Sequence, residues 1–130
     1  MRARDDGHSL VEGVVLGLAL FVPLILGVVV VTGFHRATLA ADAAAREAAR
    51  AWSTSAVTTE AKARAEGAAR RAAADYGFGS VEVHVDGTLA PGGRVTVTTR
   101  IGVAPLGHLL TVTRTAVADV DRLRSSAEPP

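Results

Sequence analysis

The chain has 130 residues, a formal net charge of +1 and no cysteine. This length accommodates one small domain, and the near-neutral charge excludes the strong electrostatic field that attracts nucleic acid. A chain without cysteine has no disulfides, no thiol catalysis and no thiolate metal site. Hydrophobic residues make up 48% of the sequence, and most of this excess lies in one N-terminal run and in alanine.

Residues 13–32 form an uncharged, apolar run near the N-terminus. In a helix, twenty residues extend about 30 Å, which is the hydrocarbon thickness of a bilayer. The run is apolar on every face, and so short a chain could not surround it as a core helix. It therefore predicts one transmembrane helix over residues 8–33. Pro23 is expected to kink this helix, because proline has no N–H to donate.

The flanking charges predict the orientation of this helix. Arg2 and Arg4 precede the run, and acidic residues count little in the positive-inside rule. The N-terminus is therefore expected in the cytoplasm, with residues 34–122 as an extracytoplasmic domain. An ordinary secretory signal cleaved near Ala40 is the rival interpretation, but its apolar region is usually only about 7–15 residues long. The composition, rich in arginine and alanine with a single lysine, is typical of a high-GC bacterial genome.

A short polar segment, residues 1–7, ends in Gly7, and Glu12 stands immediately before the apolar run. A carboxylate at the edge of a membrane helix costs free energy unless it finds a partner, such as the α-amino group of a neighbouring subunit. Alternatively, Glu12 is an interfacial carboxylate that suits the start of a helix, and Ser9 with Glu12 spells a capping box. The residues alone leave both interpretations open.

The glycine, the glutamate five positions later and the apolar helix resemble the type IV prepilin signature. The dipeptide Val11-Glu12, the proline at Pro23 and the alanine-rich residues 44–51 extend the likeness. Over residues 7–52 the chain is similar to the TadE-like minor pilins and pseudopilins of the tight-adherence (Flp, type IVb) pilus system.

This resemblance implies cleavage after Gly7 by a prepilin peptidase, which makes His8 the new N-terminus and Glu12 a subunit-assembly residue. It also implies other pilin or pseudopilin subunits and Tad assembly proteins as partners, in a pilus for adhesion or secretion. Gly13 and Ala48 stand where the family commonly has phenylalanine and glycine. The alternative function is that of an uncleaved, single-pass membrane-anchored accessory or binding protein of the cell envelope.

Beyond the membrane run, residues 37–51 are strong helix formers. Asp42 with Arg46 and Glu47 with Arg50 have the spacing of helical ion pairs. The small alanine side chains are expected to let another helix approach closely. The membrane run and this segment are expected to form one continuous helix.

A second helix is predicted after a break at residues 53–55, whose hydroxyl side chains compete for backbone hydrogen bonds. Thr58 or Thr59 is the expected N-cap, because a threonine side chain can accept a hydrogen bond from a free backbone N–H. The helix is expected to reach about Tyr76 and to end at Gly77, since glycine favours the C-terminal cap.

Three strands are predicted after this helix, because the hydrophobic period changes to two. The first two lie around residues 81–85 and 94–101, joined by a turn at 91–93. A third runs from about 109 to 120, where Arg114 shares its parity with apolar residues, so a bulge is expected there. The predicted fold is α+β and pilin-like: a long N-terminal helix, a second helix and a small three-stranded antiparallel sheet, with a disordered tail at 123–130.

No catalytic constellation or phosphate-binding motif is recognisable in the sequence. The four histidines are scattered without ligand spacing, and His84 alternates with valines on the polar face of its strand. We therefore expect no cofactor, no metal, no nucleic-acid partner and no enzymatic activity.

Overall fold

A computed structural model of the chain describes residues 6–55, 57–90, 92–103 and 110–120. It contains two helices followed by three strands: α1 (Asp6–Ser53), α2 (Thr58–Asp75), β1 (Glu82–Gly87), β2 (Arg94–Gly102) and β3 (Thr111–Asp119). This confirms the predicted α+β fold. The chain divides into two compact units, Met1–Thr32 and Gly33–Pro130. Most of the predicted leader and the whole predicted tail lie outside the described residues.

The second unit is built around faces of alanine. The buried positions of α1 recur at intervals of three and one, as expected for one face of a helix. They are Ala37, Ala40, Ala41, Ala44, Ala45, Ala48, Ala49 and Trp52. The buried positions of α2 are Ala61, Ala65, Ala69 and Ala73. Side chains this small let the backbones approach closely, and alanines of both helices pack in one core cluster with Val95 and Val97.

The sheet has the order β1-β2-β3, and both neighbouring pairs are antiparallel. Alternate residues of the central strand β2 face the helices and are buried; they are Val95, Val97, Thr99 and Ile101. The hydroxyl of Thr99 donates a hydrogen bond to the carbonyl oxygen of Ala41, which satisfies the buried side chain and joins the sheet to α1.

The predicted bulge near Arg114 is wrong. The pairing of β2 with β3 runs without interruption from Arg94↔Asp119 to Gly102↔Thr111, with Thr99 opposite Arg114. Arg114 therefore points to the same side of the sheet as the buried face of β2. Its side chain is nevertheless exposed. An edge strand tolerates such a charge, and an inward-pointing charge there also discourages pairing with another strand.

Helix α2 ends as predicted but begins differently. Its N-cap is Val57, with no side-chain hydrogen bond, so the expected threonine cap is wrong. At the other end Gly77 has a φ of 87°. The N–H of Gly77 donates to Ala74 O and that of Phe78 to Ala73 O, at 2.9 and 3.1 Å. These two bonds form a Schellman motif, which confirms Gly77 as the glycine that closes the helix.

One of the two ion pairs predicted on α1 is formed. A guanidinium nitrogen of Arg46 lies 2.7 Å from a carboxylate oxygen of Asp42. Glu47 and Arg50 form no ion pair with each other, although both belong to the described part of α1. Both side chains are exposed, where such a pair contributes only about 0.3–0.5 kcal/mol, so its absence costs little stability.

Candidate functional site

The N-terminal part of α1 exposes an unusual amount of apolar surface. Fifteen large hydrophobic side chains between Leu10 and Val31 are 48–73% exposed. The most apolar window of this helix has a mean hydropathy of 3.1, and none of it is buried. Within the described residues, α1 is the one helix long and apolar enough to cross a membrane. This surface is compatible with lipid, which the side chains would contact without the cost of facing water.

The hydroxyl group of the apolar segment is satisfied by the helix itself, as lipid requires. The hydroxyl of Thr32 donates to the carbonyl oxygen of Val28 at 2.8 Å. Pro23 lies inside the helix and cannot donate to the carbonyl of Ala19. The helical assignment continues through this position, so the bend expected at Pro23 stays a prediction.

The bond between Gly7 and His8 lies in the first turn of α1, which begins at Asp6. The first N–H groups of a helix have no intrahelical acceptor, so this turn is the easiest to unwind for a peptidase. The same start places Ser9 inside the helix. An N-cap residue lies at the non-helical boundary, so the capping-box interpretation of Ser9 with Glu12 does not fit these bounds. Cleavage after Gly7 stays a prediction.

Glu12 is exposed and stands among apolar neighbours. Val11, Val15 and Leu16 line the surface around it. Within the described residues its carboxylate has no hydrogen bond and no ion pair. A carboxylate at the start of an apolar run, with no partner among the described residues, is suited to a cation supplied from outside, such as an ammonium group. Glu12 is therefore the chemically distinctive group of this segment.

No metal or catalytic centre emerges from the rest of the described chain. It contains no group of three or more histidine, cysteine, aspartate or glutamate side chains that could hold a metal ion. The His84 side chain is 76% exposed on the outer face of β1, with Nε2 3.3 Å from a carboxylate oxygen of Asp86. This agrees with the predicted surface position of His84. His108 lies outside the described residues.

One contact of Arg36 was not predicted from the sequence. The guanidinium of Arg36 donates from Nη2 to the carbonyl oxygen of Tyr76 at 3.0 Å. That carbonyl lies at the C-terminal cap of α2, where the helix dipole favours a cation. The two residues are far apart along the chain, so no local pattern could have revealed the contact.

Comparisons with protein-family models, with curated proteins and with solved structures found no match to this chain.

Proposed function

We propose that this chain is a membrane-anchored minor pilin or pseudopilin of the TadE-like kind, cleaved after Gly7 by a prepilin peptidase. In this proposal the apolar segment of α1 lies in the bacterial cytoplasmic membrane with the N-terminus inside. The second unit then faces outward and takes part in assembling a type IVb (Flp/Tad) pilus. Its partners are the peptidase, other pilin or pseudopilin subunits and Tad assembly proteins.

The observation that carries the proposal is the carboxylate of Glu12, which has no partner among the described residues and stands at the start of an apolar helix segment of which no part is buried. Removal of residues 1–7 would create an α-amino group on His8 of each subunit. In a bundle of subunits within lipid, the amino group of one and the carboxylate of another would neutralise each other. The low dielectric of the membrane would strengthen that ion pair, provided that the remaining hydrogen-bonding groups of the ammonium and the carboxylate also have partners.

Cleavage is tested by the intact mass of the membrane-fraction protein, made with and without the prepilin peptidase encoded by its own organism. We expect the mass of residues 1–7 to be lost only when the peptidase is present. A Gly7→Leu variant should remain full length in both conditions. A full-length wild-type chain in both would favour the uncleaved membrane-anchored accessory protein, and a chain beginning near Ala41 would favour ordinary secretion.

Assembly is tested separately with Glu12→Val. This variant should insert in the membrane normally but fail to enter the pilus or pseudopilus, because the ammonium partner loses its carboxylate. Glu47→Val is the matched control, since Glu47 is an exposed glutamate on the same helix outside the apolar run and pairs with no described residue. Normal incorporation of the Glu12 variant into sheared pili would exclude the assembly role.

A further inference from the structure

A basic and aromatic cluster lies on the second unit, where the first residues of that unit meet the end of α2. Arg36, Tyr76 and Phe78 line a shallow depression together with Gly33 and Gly77. Tyr76 and Phe78 are half-buried, and both pack against the core cluster that contains Ile101 and Val103. One side of each ring thus packs against the core, and the rest is partly exposed at the surface. Their position is fixed by the Schellman motif that ends α2.

The guanidinium of Arg36 has donors to spare. A guanidinium carries five N–H donors, and hydrogen bonds within the described chain use one of them, to Tyr76 O. No carboxylate among the described residues pairs with Arg36, and its side chain is exposed. It is also the only arginine or lysine between the apolar run and Arg46. The cluster therefore offers a fixed cation with free donors to an anionic oxygen.

Aromatic residues occur within this cluster and near it in the sequence. The protein has one tyrosine, one tryptophan and three phenylalanines. The tyrosine and Phe78 belong to the cluster, and Phe34, 46% exposed, follows the apolar run at once. Tyrosine and tryptophan collect where hydrocarbon meets water, since an aromatic ring suits the apolar side and a polar group the wet side.

The chain tethers this cluster to the apolar run. Arg36 follows Thr32, the last residue of that run, by four residues within α1. Four residues rise about 6 Å in a helix and reach no more than about 14 Å when fully extended. The headgroup layer is about 5–8 Å thick on each side of the hydrocarbon. Whatever the orientation of the two units, Arg36 cannot lie far from the headgroups if the run spans a bilayer.

We propose that Arg36, Tyr76 and Phe78 form a binding surface for the phosphodiester group of a membrane phospholipid, with the two rings seated in the interfacial layer. Arg36 would donate to the phosphate oxygens while keeping its bond to Tyr76. A single open cation does not favour a free, strongly hydrated phosphate ion, whereas a lipid phosphate is held nearby by the bilayer. This inference rests on the membrane anchoring proposed above and adds a contact between the outward-facing unit and its membrane.

The test uses the absence of cysteine, which allows one spin label to be attached at a chosen position. The full chain carrying Gly79→Cys is labelled and reconstituted in vesicles of phosphatidylcholine and phosphatidylglycerol. An added Cβ at Gly79 meets nothing within 4 Å, so the label is tolerated beside Phe78. His84→Cys, on the exposed outer face of β1, is the matched control. Power-saturation EPR with oxygen and a water-soluble nickel chelate then reports the depth of each label.

We expect the label at position 79 to be shielded from the nickel chelate and the label at position 84 to be fully accessible. Adding Arg36→Gln or Phe78→Ser should abolish the shielding at position 79, while Arg46→Gln should leave it unchanged. Arg36→Lys should preserve part of it, because the charge remains. Circular dichroism verifies folding, and Phe78→Ser supplies the test if Arg36→Gln does not fold.

Equal accessibility of the labels at positions 79 and 84, in chains with no other substitution, would overturn the inference. So would shielding that survives both Arg36→Gln and Phe78→Ser. Flotation of the same vesicles separates this outcome from failure of the proposed function. A chain that floats with its vesicles but leaves position 79 open to the chelate refutes only the headgroup contact. A chain that does not float refutes the membrane anchor itself and the inference with it.

Discussion

The hydroxyl of Thr99 on β2 donates a 2.7 Å hydrogen bond to the carbonyl oxygen of Ala41 on α1, in the buried interior of the second unit. The carbonyl oxygen has two lone pairs, so it can accept this bond together with its helical one. A buried hydroxyl needs such a partner, because an unsatisfied one costs about 1–3 kcal/mol. Small alanine and valine side chains would by themselves allow β2 to pack against α1 in several positions. The hydrogen bond favours the one position in which the Thr99 hydroxyl reaches the Ala41 carbonyl.

The substitution Thr99→Val tests this bond. Valine keeps the shape of the side chain and its β-branching, and the Ala41 carbonyl retains its helical partner. We expect the free energy of unfolding to fall by about 1 kcal/mol, the net contribution of a typical buried hydrogen bond. Urea denaturation of the full chain in detergent, followed by Trp52 fluorescence, measures it.

Thr98→Val is the control, since the Thr98 hydroxyl lies on the exposed face of β2, 3.4 Å from that of Thr115. Its effect should stay within about 0.5 kcal/mol. Equal losses in the two variants would show that the buried bond has no special role.

The alanine face of α2 sets a second prediction. Ala65 is fully buried between the helices and the sheet, whereas Ala63 on the same helix is exposed. Leucine at position 65 has no room, so Ala65→Leu should destabilise the fold by about 1–3 kcal/mol through overpacking. Ala63→Leu should change stability by less than about 0.5 kcal/mol. Thermal denaturation followed by circular dichroism compares the two, and similar melting temperatures would contradict close packing at Ala65.

Gly77 provides a third prediction, because its φ of 87° lies where side chains with a Cβ are strained. An added Cβ would also lie 3.3 Å from Nη2 of Arg36. Gly77→Ala should therefore cost about 1–2 kcal/mol. Gly79→Ala is the matched control two residues later, with open space around its Cβ and no positive φ. Chemical denaturation of both variants measures the difference, and an unchanged midpoint for Gly77→Ala would refute the strained cap.

Gly67 yields a prediction of the opposite sign. It lies in the middle of α2, and an added Cβ meets nothing within 4 Å. Alanine there would reduce the conformational freedom of the unfolded chain without straining the helix, so Gly67→Ala should stabilise the protein by about 0.5–1 kcal/mol. The expected result is a higher melting temperature than the wild type. A lower one would mean that Gly67 faces a neighbour, such as another subunit, that requires the small residue.

Local patterns in the sequence were sufficient to predict the helices and strands. The uncharged run before Thr32 predicts a helix that lipid can surround, and alternating valines predict the strands, because each signal lies within one element. The glycine at position 77 and the break at residues 53–55 fix the ends of the helices for the same reason. Gly7 and Glu12 were singled out by the same kind of local signal, their spacing along the chain, and their roles stay predictions.

Contacts between distant segments were decided by the tertiary structure. Arg114 on β3 needed no bulge, because an edge strand lets an inward charge reach water. Thr99 could be assigned to a buried face from its parity, but only packing brought the Ala41 carbonyl to its hydroxyl. Arg36 likewise meets Tyr76 because α1 and the end of α2 come together in the folded unit. Periodicity reports which face of an element is apolar, whereas the partner of a polar group depends on which elements pack together, and that depends on the whole chain at once.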